Sequence, residues 1–368
     1  MSSELLPPIP YAKSEAIQGI RWLTDKIYSG YSGDTWSCTW ANDDNIYTLA
    51  DDSNGSNLAI DVIAGNPPFD HKKIERVNPM SEWGPAGANG WWKGSGLASI
   101  DGVLYLGIYS QSRPRPGGAT KISYCAFNSA IMKSEDYGLS WTPRPNDGPA
   151  LFPLFPGREF PTPYFVQYSQ DYTGAIDDYV YLVSNDGGWN NWNCLKMARV
   201  PRERFSRLDV AHWEFFVRAD ENGGHALWTP CVGEAGAIYT HKGYTGMTGI
   251  QYVPAVKRFI LGQWSFIAVK DQFDRTELCP EAWPWPIDDP RYHTHDETML
   301  CLYESEHPWG PWRAFHVQPD WGPSFYSPSF PAKWFEADGK RLWIVEAGNY
   351  RGEPRGYEFV VQQLELIL

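Results

Sequence analysis

Residues 35–52 read TWSCTWANDDNIYTLADD, and residues 93–110 read KGSGLASIDGVLYLGIYS. Aligned without a gap, Tyr47 falls on Tyr105 and the Asp44 turn falls on Gly102. Each stretch is a short strand-like run, a tight polar turn and a second strand-like run, the sequence pattern of a repeated hairpin. Looser copies follow at TPYFVQYS (162–169) with YVYLVSND (179–186), at MTGIQYVPAVKRFILGQW (247–264) and at YSPSFPAKWFEADGKRLWIVEAG (326–348), which makes five. Strand-like runs after the copies, such as 124–132, 212–218 and 299–304, extend each to about four strands. No helical period of adequate length competes with them. The pattern predicts an all-β chain, a five-bladed β-propeller with four-stranded blades, because radial repetition protects the edges of short sheets. The last copy has one strand after it, 356–366, and IQGIRWLTDKIY (17–28) is expected to supply the missing outer strand from the N-terminus.

With 368 residues, 15% aromatic and 20% charged, including 19 Trp and 21 Tyr, the chain has the composition of a large packed core. Closed all-β folds often run long as one unit, so a single domain over 1–368 is expected. Ser134, Asp136, Gly138 and Trp141 in SEDYGLSW follow the SxDxGxxW pattern of an Asp box, and SEHPWGPW (305–312) is a degenerate echo. In such a turn the Asp accepts backbone hydrogen bonds and the Trp packs between blades, so Asp136 is read as structural. A net charge of −13 and the lack of any basic run argue against a nucleic-acid partner. The longest apolar runs fall far short of the roughly 18–20 residues that span a bilayer, so no membrane partner is expected. MSSELLPPIP lacks the basic and apolar blocks of a signal peptide, leaving the cytoplasm and secretion with a removed leader both open. Cys38, Cys125, Cys194, Cys231, Cys279 and Cys301 form no CxxC pair and read as free, mostly buried thiols. A monomer or small homo-oligomer is expected.

Because the two strands of each copy are antiparallel, the start of the first and the end of the second lie at one face. That face collects Asp34, Trp36, Asp51 and Asp52 from the first copy, and Trp91, Trp92, Lys93 and Tyr109 from the second. Glu159 and Asp186 come from the third, Tyr244 and Trp264 from the fourth, and Tyr326 and Glu346 from the last. Long loops leave the same face, and the segment 265–297 brings His293, His295 and Asp296 with it. No cofactor is required by any motif. The HxH pair could hold a structural ion only with a third ligand that the sequence does not identify. Carboxylates, indoles and amides together suit a sugar, whose hydroxyls take polar groups and whose CH faces stack on rings. Glycosidic cleavage needs two carboxyl groups, and Asp34 with Asp51 or Asp52 offers them. Asp and Asn are also ordinary turn residues, which is the reading given to Asp43 and Asp44.

With Asp34, the GDTWSCTWA stretch, the SEDYGLSW turn and the WGPW element, the chain resembles a sialidase-like five-bladed propeller family, formerly of unknown function, that includes D-arabinan-cleaving glycoside hydrolases. The resemblance covers most of the chain and is most specific in the first copy. It implies paired aspartates at Asp34 and at Asp51 or Asp52. The three arginines and the FRIP-type element of a true sialidase are not found. Two other readings share the same face. One is a uronate lyase using a Tyr or His base with Lys93 or Arg113 as the cation. The other is a propeller that binds glycans without cutting them.

Overall fold

The computed structural model describes residues 8–53, 56–67, 73–80, 90–112, 125–145, 153–190, 192–266, 297–348 and 357–368. The strands are β1 (Gly19–Trp22), β2 (Ile27–Ser32), β3 (Cys38–Trp40), β4 (Ile46–Ala50), β5 (Ala59–Ile63), β6 (Ile74–Asn78), β7 (Gly90–Ile100), β8 (Val103–Ser112) and β9 (Cys125–Ser134). They continue as β10 (Tyr164–Gln167), β11 (Tyr179–Asn185), β12 (Trp192–Pro201), β13 (Glu214–Ala219), β14 (Ala226–Thr229), β15 (Ala237–Thr245), β16 (Ile250–Val253) and β17 (Arg258–Phe266). β18 (Glu297–Ser305), β19 (Arg313–Pro323), β20 (Tyr326–Ser329), β21 (Arg341–Gly348) and β22 (Glu358–Ile367) complete the chain. One short α-helix, Arg202–Phe205, and a few single 3₁₀ turns are the helical structure among the described residues, so the fold is all-β.

Each repeated sequence unit is a hairpin. β3 pairs β4 with Cys38 opposite Thr48, β7 pairs β8, β10 pairs β11, β16 pairs β17, and β20 pairs β21. The turn at Asp101–Gly102 has φ of 54° and 79°, a left-handed pair that the Asp-Gly sequence favours and that matches strand twist. Further strands add outward in sequence order: β5 and β6 on the first hairpin, β9 on the second, and β18 and β19 on the fourth. On the third hairpin β12 carries both β13 and β15. In the second set a fourth strand is represented, among the described residues, by single bridges from Ser129 to Phe155 and from Lys133 to Thr142. Hydrogen bonding joins the third and fourth sets into one ten-stranded sheet through a short parallel contact, Val166 to Ile250 and Gln167 to Gln251. β3 and β10 also pack against β7.

β22 closes the last set. Its outer edge takes β1, with Gly19 opposite Ile367 and Trp22 opposite Leu364, and then β2, with Ile27 opposite Val361. The N-terminal segment thus forms the outer edge of the last sheet, in two pieces separated by residues 23–26. Two groups of buried side chains fill the spaces between sheets, and Trp36, Trp213, Trp264 and Trp321 are among the largest fully buried residues. The turn after β9 is organised by Asp136, which accepts from the Ser140 backbone at 2.9 Å and from the hydroxyls of Ser134 at 2.7 Å and Ser140 at 2.6 Å. Trp141 is buried behind it and donates its indole N–H to the Gly138 carbonyl at 2.9 Å.

Candidate active site

Just before β3 and just after β4, Asp34 and Asp51 face each other as a two-residue antiparallel bridge. Each backbone N–H donates to the other's carbonyl at 2.9 Å. Cross-strand partners of this kind emerge on one side with Cβ atoms about 5 Å apart. Thr35 (φ 59°) and Asp52 (φ 42°) follow them in the left-handed region, which costs a β-branched threonine on the order of 1–3 kcal/mol. Gly33 precedes them at φ 148°, where a Cβ would come within 2.6 Å of the Trp36 ring. The bend beside each aspartate is therefore fixed by strained backbone and by a residue with no side chain.

Both carboxyl groups are buried, and neighbouring sheets supply their partners. β20 opens with Tyr326, whose hydroxyl donates to Oδ2 of Asp34, while Thr35 Oγ1 donates to Oδ1 at 3.0 Å. β7 contributes buried Lys93, whose Nζ lies 2.6 Å from Oδ1 of Asp52 and 3.7 Å from Oδ2 of Asp51. The Gly94 N–H reaches Oδ1 of Asp51 at 3.5 Å. Burial, reinforced by the Asp52 charge, pushes the Asp34 carboxyl up to about 6, against the pull of Lys93, Tyr326 and Thr35. Burial also pushes Asp51 well above the carboxylate range, with Lys93 opposing and the charges of Asp34 and Asp52 adding. For Lys93 burial works against the charge, but Asp51, Asp52 and Asp34 outweigh it and keep the ammonium protonated. Burial and the same carboxylates raise the phenols of Tyr109, Tyr164 and Tyr326. Near neutral pH this leaves one cation among three carboxyl groups, two of which hold their protons more tightly than usual.

The structure brings Asp34, Asp51, Asp52, Lys93 and Tyr326 into one cluster, with Tyr109 within reach of the same charges, and places the other sequence-predicted residues as follows. Trp36 has no exposed surface; its N–H reaches the Glu358 carbonyl at 3.4 Å and its ring meets Phe359 edge-on. Glu346 is fully buried, paired with Lys26 and bonded by Trp321 Nε1 at 3.1 Å. Asp186 caps the start of β12, accepting from the Asn193 and Cys194 backbone at 2.9 and 3.1 Å. Glu159 lies exposed in a pair with Lys196 at 3.0 Å, and Tyr244 packs on His241. Tyr109 is buried beside Gln111, its hydroxyl 3.3 Å from Oε1. Trp264 is buried behind Tyr326, 5.4 Å between rings, and half-buried Trp189 covers both. Trp91 and Trp92 are half-buried on β7. His293, like His295, Asp296 and Arg113, lies outside the described residues.

Two buried residues beside the cluster, Tyr164 and Ser327, are not among those the sequence marks. Tyr164 opens β10 as Tyr326 opens β20, so its place in the repeat was a usable signal. Ser327, at φ 49°, follows Tyr326 and carries no pattern that marks it. Among the described residues no cluster of three or more His, Cys, Asp or Glu is arranged to hold a metal. No helix among them is long and apolar enough to cross a membrane.

No protein-family model matches the sequence, and no curated protein matches it. Among solved structures, a protein from Bacteroides ovatus ATCC 8483 with a provisional hydrolase description aligns at 12% identity. The alignment covers 91% of this chain and 86% of that one with a TM-score of 0.53, a likeness of fold. The catalytic domain of the GH62 alpha-L-arabinofuranosidase of Coprinopsis cinerea aligns at 10% identity over 97% and 93% of the two chains, TM-score 0.48. The GH43_1 enzyme of Xanthomonas citri aligns at 10% identity over 94% and 90%, TM-score 0.48.

Proposed function

We propose that the protein is a glycoside hydrolase in which the five strand sets are blades of one ring, a single domain, and Asp34 and Asp51 are the carboxyl pair. The observation that carries this reading is the bridged, buried pair itself, with two raised carboxyls held beside one paired lysine. Hydrolysis of a glycosidic bond asks for one proton-bearing carboxyl and one ionised partner. Asp51, raised by burial and given only a long backbone contact besides Lys93, is the acid. Asp34 accepts two hydroxyl hydrogen bonds that favour its anion, and it is the base or nucleophile. Asp52, exposed and ion-paired with Lys93, holds that lysine in place.

The resemblance to D-arabinan-cleaving propellers makes arabinan-like glycans the first substrates to try, with the turns at Asp136 and at 305–312 read as Asp boxes. A uronate lyase is less well served: it needs a base that ionises near neutral pH, and burial raises the phenols of Tyr109, Tyr244 and Tyr326. Asp34→Asn and Asp51→Asn are each expected to lower kcat/KM on a responsive glycan by roughly 10²–10⁴-fold, and Asp52→Asn by less. Wild-type activity in Asp34→Asn across a panel of arabinans and arabinoxylans would remove the assignment.

A further inference from the structure

Next to the segment that carries Asp34, between β3, β10, β16 and β20, lies a small cavity lined by Thr35, Ser37, Tyr164, Gln251, Ser327 and Ser329 among others. The space open to the centre of a water-sized sphere is about 30 Å³. A single water needs about 10–15 Å³ on that measure, together with two to four polar partners. Two such partners are on hand. Tyr164 OH and Ser327 Oγ are near each other, both residues are at least nine-tenths buried, and among the described residues neither atom makes a hydrogen bond of normal geometry. A buried hydroxyl left without a partner costs about 1–3 kcal/mol, so two at one cavity point to a ligand that serves both. The remaining polar lining is neutral, which suits water better than an ion.

We propose that this cavity is a water site holding one or two molecules between Tyr164 and Ser327, and that it supplies the water consumed at the carboxyl pair. The second half rests on the glycoside-hydrolase reading; the first does not. Cavity and pair share their walls. Thr35 lines the cavity and donates to Asp34, and Ser327 directly follows Tyr326, the other donor to Asp34. The charges of Asp51 and Asp34 both act on Tyr164. A glycan seated on the pair would shut out bulk water there, and a molecule held in the adjoining cavity would then reach the reaction from the protein side. With Asp34 as the base, the water oxygen bonds to the anomeric carbon as the glycosidic C–O bond breaks. One water proton passes to the ionised carboxyl, and the proton of the acid goes to the departing oxygen.

The test compares high-resolution crystal structures of the wild type and of the Tyr164→Phe/Ser327→Ala double variant, with kcat and KM measured on a neutral glycan for both. One or two ordered peaks within hydrogen-bonding distance of both hydroxyls are expected in the wild type and none in the variant, with kcat down about tenfold and KM unchanged. A wild-type cavity without density overturns the site. Density lost in the variant while kcat stays at the wild-type value overturns the supply role. If the wild type cleaves no glycan, the functional reading fails, while the density still decides the water site. Tyr164→Phe alone, nearly isosteric, gives the same readings if the double variant does not fold.

Discussion

Asp34 carries a carboxyl raised to about 6 from an ordinary 3.8, and that single fact has separate consequences for stability and for chemistry. A carboxyl whose pKa is raised by folding binds its proton more tightly in the native state. Its contribution is full below about pH 4 and is lost as pH rises through about 6, on the order of 3 kcal/mol in all. Asp34→Asn should therefore gain stability over the wild type as pH rises from 4 to 7, with no gain at pH 4, in paired thermal melts; a pH-independent difference would refute this. If Asp34 acts as the ionised partner, kcat/KM of the wild type should rise as pH increases through about 6, and that limb should be gone from whatever activity remains in Asp34→Asn. Asp34 stood out in the sequence because Gly33-Asp34 precede a strand on the face expected to bear the long loops. The choice between Asp51 and Asp52 was not legible there. It depends on which residue bridges Asp34, a matter of register at the open end of the first hairpin, and on which one Lys93 takes, a contact from another sheet.

At the scale of elements, the hairpins were legible because the information is local: a gapless register, an Asp-Gly turn and alternating side chains all lie within one short stretch. The N-terminal edge strand was legible from counting, since the last copy lacked a strand. Its break at residues 23–26 was not legible, because it comes from Thr24, whose hydroxyl takes the Gln363 N–H at 3.0 Å and whose carbonyl accepts from the Gln362 amide at 2.8 Å. The double use of β12 and the parallel contact of β10 with β16 were equally hidden, being set by how sheets meet. Removing residues 1–26 would strip β1 from β22 and leave the edge at Leu364–Ile367 unpaired. Such an exposed edge is a template for association. The truncated protein should melt at lower temperature and scatter light on concentration, whereas a truncation as stable and monodisperse as the full chain would show that the edge strand does not close the fold.

At the scale of the whole molecule, the net charge of −13 and the local charge of the site act in the same direction. Lys93 is already shared between Asp51 and Asp52, so an anionic sugar arriving at this cluster would find its cation taken and a further carboxyl group, Asp34, nearby. The long-range field of an acidic protein slows the approach of a polyanion and leaves a neutral glycan unaffected, and salt weakens that field over a Debye length of about 10 Å at 0.1 M. We therefore expect kcat/KM on neutral oligosaccharides to change little between roughly 0.05 and 0.5 M salt. Any residual turnover of uronate-containing polymers should be far weaker and should rise with salt. The measurement is a paired salt series on a neutral arabinan fragment and a uronate oligomer of similar length. Faster turnover of the uronate at low salt would mean that a cation beyond Lys93 reaches the site, and would return the lyase reading to first place.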